Sequence, residues 1–124
     1  GKNVGLQKGS SAYDAFEADD IHTKVAGMNE YPENVSALQD LGIGRIDAVI
    51  VDSVVARYYI SSEKADYVIL DESLSPETYA VAVKKGNTEL QGKIQKAIDD
   101  MVADGTAAEI SKKWFGEDIF YTGN

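Results

Sequence analysis

Two places in this 124-residue chain put chemistry-bearing residues where a fold could use them. The first is Gly9-Ser10-Ser11, which follows the apolar Val4-Gly5-Leu6 and opens a helical pattern with Asp14 in its first turn. A strand, a glycine turn and a helix start leave backbone N–H groups without intrahelical acceptors, and such a terminus attracts a carboxylate or phosphate. The same residues also serve as an ordinary serine N-cap. The second place is Asp52, between an apolar run over residues 46–51 and a helical pattern that opens at Ser53. An aspartate there either caps the helix or offers a charge to a ligand ammonium, because open α/β sheets bind ligands outside the carboxyl ends of their strands. In a parallel sheet those ends share one edge. If the two strands are neighbours, an anion cradle and a carboxylate face one cleft, and a free amino acid fits that pair.

Other chemistry finds little support. Twelve basic residues against 21 acidic ones give a net charge of −9. That balance argues against nucleic acid and gives no help in docking on anionic lipid. The absence of cysteine removes disulfides, thiolate nucleophiles and thiol-rich metal sites, and one histidine makes a transition-metal centre improbable. His22, with Asp19 and Asp20, reads as a solvated connection, and Asp99-Asp100 as a solvated helix face. Gly42-Ile43-Gly44 precedes a strand and lacks the third glycine of a dinucleotide loop. No P-loop, calcium loop or G-x-S-x-G elbow occurs, so neither cofactor nor metal is expected.

The elements that must position the two places alternate strand with helix. Strands are expected at residues 4–6, 24–28, 46–51, 67–70 and 78–83. The run at 46–51 is apolar enough to be buried on both faces. Helices are expected from Ser11, from Pro32 with Val35, Leu38 and Leu41 inward, and over residues 53–60. A long helix starts at Gly86-Asn87-Thr88, carrying Leu90, Ile94, Ala97, Ile98, Met101 and Val102 as one stripe. Asp104-Gly105-Thr106 ends it and opens a last helix over residues 107–115. The opening GKNVGL looks like the first strand of a fold, as in a fragment, and Thr122-Gly123-Asn124 like a loose tail. No apolar run approaches the roughly 20 residues of a membrane span.

Three stretches carry a resemblance. VGLQKGSSAYDAF, ALQDLGIGRIDAVIVDSVVARYYI and LSPETYAVAVKKGNTELQGKIQKAIDDMVADGTAAEISKKWFG stand in the order and spacing of the extracytoplasmic solute-binding proteins of polar amino-acid ABC transporters, family 3. The chain resembles their second lobe plus C-terminal helices, over residues 1–116. The resemblance implies an α/β, periplasmic-binding-protein-like (type II) lobe, a mostly parallel sheet flanked by helices, followed by two C-terminal helices. Its divisions would be the lobe at 1–77, a hinge or return strand at 78–83, helices completing the first lobe at 84–118, and a tail at 119–124.

The same resemblance implies site roles. Ser10 and Ser11 match the loop that holds a ligand α-carboxylate, Asp52 the residue that meets the α-ammonium, and Gln7 a position near the ligand side chain. Thr78 and Tyr79 match the second of two hinge strands. The family's first lobe, with the rest of its cleft, would lie before Gly1, so weak amino-acid binding is expected of this chain alone. An ABC permease is the implied partner and an extracytoplasmic location the implied setting. The stripe Leu90, Ile94, Ile98 and Met101 would lack its cover, so a homodimer or strand exchange is expected. Alternatives on the same fold are an amino-acid-sensing receptor domain and a dehydratase-like enzyme. The enzyme would need a cleft acid beyond Asp52.

Overall fold

A computed structural model describes residues 1–121; the expected tail residues Thr122, Gly123 and Asn124 lie outside the described residues. The first strand, β1 (Asn3–Gln7), buries Val4, Gly5 and Leu6 and stands in the middle of a three-stranded sheet. A 3-10 turn (Asp20–Thr23) follows α1 (Ser11–Ala18), and then come β2 (Gly27–Tyr31), α2 (Asn34–Gly42) and β3 (Ala48–Ile50). The strand order is β2-β1-β3 and both pairings are parallel, with Leu6 opposite Glu30 on one side and Ile50 on the other. The helices α1 and α2 both pack on β1. Phe16 of α1 reaches Val4 and Leu6 to form the core, with Tyr13, Val25, Met28, Ala48, Ile50 and Leu74 around it. Leu6 and Phe16 are the largest side chains shut off from solvent.

Gly5 points to the opposite face by strand alternation. A Cβ there would come within 2.6 Å of Ile46 Cδ1 and 2.8 Å of the Tyr31 ring, so only glycine lets both approach the strand. Tyr31 then reaches across to donate its hydroxyl to Asp40 Oδ2 at 3.0 Å, and Arg45 pairs with the other oxygen. Burial and the Asp40 hydrogen bond push the Tyr31 hydroxyl's pKa up.

Contacts divide the chain into two units. The first holds the sheet, α1 and α2, together with residues 1–56 and 68–76. The second takes in residues 57–67 and the chain from Glu77. α3 (Ser53–Glu63) starts in the first; α4 (Thr88–Ala103) and α5 (Thr106–Phe115) belong to the second. Asn87 caps α4 through Leu90 N–H, and the Asp104 carboxylate accepts from Thr106 N–H between the two helices. Within the second unit the Tyr58 ring lies tilted against Trp114, Arg57 pairs with Glu117, and the buried Ser111 hydroxyl donates to Glu117 O and accepts from Ile119 N–H.

Several expected elements differ. The second strand runs over Gly27–Tyr31 rather than 24–28, because its ladder with β1 pairs Gly27 with Asn3 and Tyr31 with Gln7. The third is only Ala48–Ile50, and its residues are half-buried: it lies beside β1, and among the described residues no further strand of the sheet lies beyond it. Burial on both faces belongs to β1 instead. Residues 67–70 and 78–83 form no strand. A strand exists by its ladder, and the sheet of the described residues includes neither segment; Val68, Leu70, Tyr79 and Val81 are exposed. The helices stand where their caps and stripes place them, although α2 starts two residues after Pro32.

Candidate functional site

The strand order decides where a ligand belongs. From β1 the chain steps to β2 on one side, then crosses back to β3 on the other. That reversal makes the crevice between β1 and β3, at their carboxyl ends, the topological switch point where open α/β sheets hold their ligands. Leu6 pairs with Ile50, so the loop over residues 7–11 and the residues Val51 and Asp52 leave the sheet side by side. Sequence reasoning left the neighbour relation of the two strands open; the register supplies it.

Each expected site residue has a definite place. Gln7 ends β1, and its Nε2 donates to Pro32 O at 3.1 Å, across to the loop after β2. Gly9 turns the chain with φ +66°, the left-handed region. Ser10 is the N-cap of α1: its Oγ accepts from Tyr13 N–H at 3.2 Å and donates to Gln7 O at 2.8 Å. The Ser10 hydroxyl therefore works inside its own loop. Ser11, exposed, is the first residue of α1, and the next N–H groups along, those of Tyr13 and Asp14, bond to Ser10 O at 3.1 and 3.2 Å. Asp52, half-buried, begins α3, its carbonyl accepting from Val55 and Ala56 N–H at 3.0 and 3.1 Å. Thr78 and Tyr79 are exposed, lie outside every strand, and belong to the other unit.

Two contacts of this edge went unnoticed in the sequence. Lys8 pairs with Glu30 at 2.9 Å, which raises the lysine's pKa, and Pro32 holds Gln7. Both follow from β2 reaching Tyr31, and Pro32 as a strand stop was the signal for it. Among the described residues no group of three or more histidine, cysteine or acidic side chains could hold a metal ion, and no helix is long and apolar enough to cross a membrane.

A parallel sheet with flanking helices and a switch-point crevice is the architecture of a periplasmic-binding-protein-like lobe. The sequence pattern of the bacterial extracellular solute-binding proteins, family 3, matches residues 6–117, and the chain belongs to that family. It is 33% identical over 121 residues to the L-cystine-binding protein TcyJ of Escherichia coli K12, covering 96% of this chain and 44% of that protein. An ancestral arginine-binding protein bound to glutamine superposes with a TM-score of 0.65 at 40% identity, over 94% of this chain and 51% of that one. The open conformation of Lactococcus lactis GlnP substrate binding domain 2 shares the fold, with a TM-score of 0.79 at 23% identity over 95% of this chain and 50% of that one. The chain thus spans about half the length of the relatives it matches.

Proposed function

We propose that this chain supplies one jaw of an amino-acid-binding protein that serves an ABC importer outside the cytoplasm. In this reading the loop of Ser10 and Ser11 receives the ligand α-carboxylate through first-turn N–H groups and the Ser11 hydroxyl. Asp52 receives the α-ammonium, and Gln7 lies toward the ligand side chain. The observation that carries the reading is the parallel pairing of β1 with β3, which sets a helix N-terminus and a carboxylate side by side at a switch point. Supporting it are relatives whose names record the binding of cystine, arginine and glutamine. Thr78 and Tyr79 act as hinge residues that absorb backbone rotation during closure. The role is capture rather than catalysis, since the ammonium already accounts for Asp52. The homodimer expected through Leu90, Ile94, Ile98 and Met101 is part of the same proposal.

A single jaw holds few of the contacts of a closed cleft. Each charge-assisted hydrogen bond contributes about 1.5–3 kcal/mol, and the entropy of association opposes them. Affinity for a free amino acid is therefore expected near the millimolar level, about −4 kcal/mol. An NMR titration of the chain with arginine, glutamine and their decarboxylated and deaminated analogues tests this. Amide shifts at Ser11 and Ala12 should require the carboxylate, and those at Asp52 and Ser53 the ammonium. Analogue-independent shifts would refute the site, and micromolar affinity would refute the single-jaw reading. In a protein with both jaws, Asp52→Ala should cost roughly 2–5 kcal/mol of binding by calorimetry, because it leaves an ammonium unpaired in a closed cleft.

A further inference from the structure

One cation stands at the carboxyl edge of the sheet. The loops that leave β1, β2 and β3 there are residues 8–10, 32–33 and 51–52, and Lys8 is their only basic residue. Its main chain is fixed, because Lys8 N–H donates to Tyr31 O at 2.9 Å. Its side chain has a carboxylate on either hand. Leu6 lies opposite Glu30 on β2 and opposite Ile50 on β3. Lys8 and Asp52 each stand two residues beyond that row, and strand alternation carried past the ladder sets Glu30, Lys8 and Asp52 on one face. Neighbouring strands are about 4.8 Å apart, so the flexible four-carbon stem of a lysine on the central chain reaches either side.

Lys8 takes the β2 side. Its Nζ lies 2.9 Å from Glu30 Oε2, and the hydrogen bond and charge of Glu30 raise the lysine's pKa. Asp52 has no ion-pair partner among the described residues; its contacts run through the carbonyl that starts α3. Charge alone does not decide between two carboxylates of equal sign. Geometry does: Glu30 is held in the ladder opposite Leu6 and has one methylene more, whereas Asp52 lies past the end of β3 where the chain turns into α3. Had Lys8 gone to Asp52, an arriving ammonium would meet a neutral pair and a competing cation.

We infer that Glu30 is a positioning residue for the ligand edge: by holding Lys8 on the β2 side, it leaves the Asp52 carboxylate open to an ammonium. The inference rests on the reading that Asp52 receives the ligand's amino group. It adds that the edge carries its own competitor for Asp52 and a residue that keeps the competitor away. A ligand without an amino group is indifferent to this arrangement.

NMR of the full chain tests it in two arms, with amide dispersion confirming that each variant folds. The first arm uses no ligand and follows the Lys8 side-chain resonances through alkaline pH. In Glu30→Gln the lysine turns to Asp52, so its midpoint should stay above the ordinary 10.5. It should return to about 10.5 only when Glu30→Gln is combined with Asp52→Asn, and Asp52→Asn alone should leave it raised. The second arm titrates L-glutamine. Glu30→Gln should weaken binding read at the Asp52 and Ser53 amides about two- to five-fold, the range an exposed ion pair commands. Lys8→Gln alone should not weaken it, and adding Lys8→Gln to Glu30→Gln should restore it. The deaminated analogue of glutamine, read at Ser11, should bind Glu30→Gln no more weakly than the unaltered chain. A Lys8 midpoint that falls to about 10.5 in Glu30→Gln alone overturns the inference, as does a double variant that fails to regain glutamine binding. If the Lys8 series comes out as expected but glutamine leaves Asp52 and Ser53 unmoved in the unaltered chain, the amino-acid reading falls and the diversion of Lys8 stands.

Discussion

The two units fold around different amounts of interior. In the first, a central strand gives Val4 and Leu6 to one face and accepts Tyr31 and Ile46 over Gly5 on the other. In the second, the longest helix buries nothing, and order comes from caps, a tilted aromatic pair and the buried hydroxyl of Ser111. Core burial contributes about 1.5–3 kcal/mol for each large side chain, whereas exposed ion pairs such as Lys93–Glu89 contribute about 1 kcal/mol at most. Positional precision is therefore concentrated where the candidate ligand edge lies.

Mutations should break this contrast in graded fashion. Phe16→Ala, at the centre of the first unit, should cost about 3–5 kcal/mol in urea unfolding. Ser10→Ala removes a cap that receives Tyr13 N–H and releases Gln7 O, and should cost about 1 kcal/mol in the same assay. Leu90→Ala in the second unit should change the monomer's stability by about 0.5 kcal/mol or less, measured at low concentration. A loss as large as that of Phe16→Ala would show a hidden core in the second unit and end the comparison.

Acid should act gently and on both units, since Asp47 in the first and Asp104, through Thr106, in the second are each held below their ordinary value. Lys2 Nζ at 2.9 Å and Asn3 N–H at 2.8 Å hold the Asp47 carboxyl below its ordinary value of 3.8. A depressed folded-state pKa contributes stability that is present above the ordinary value and is lost as pH falls through the folded one. Thermal midpoints should therefore fall below about pH 4, and Asp47→Asn should flatten part of that decline.

What the sequence showed well was whatever local chemistry decides. Ser10, Asn87 and Gly105 mark helix starts by their side-chain oxygens or turn geometry, and the structure has helices there. What it showed poorly was whatever depends on a distant partner. Residues 46–51 are more apolar than residues 3–7, so they look like the central strand, yet β1 takes that place because both β2 and β3 pair with it. Residues 67–70 are apolar throughout and 78–83 alternate as a strand should, but neither sits in a ladder of the described residues. Composition cannot say whether a partner strand is at hand. The site shared both fates. Asp52 and the serine loop were legible as helix starts, while their adjacency needed the β1–β3 register, and the Gln7–Pro32 link needed the true end of β2.

That link also sets where this surface is free to change through evolution. The Gln7 amide holds the neighbouring loop by a main-chain carbonyl, so the acceptor does not depend on which residue stands at position 32. Substitution at 32 or 33 by a residue that keeps its main-chain carbonyl in place keeps the loop tied while altering the side chains it carries. Substitution at position 7 by a residue that cannot donate cuts the tie itself. Sequence variation is expected to accumulate on the loop after β2, under the restraint of a single amide on β1.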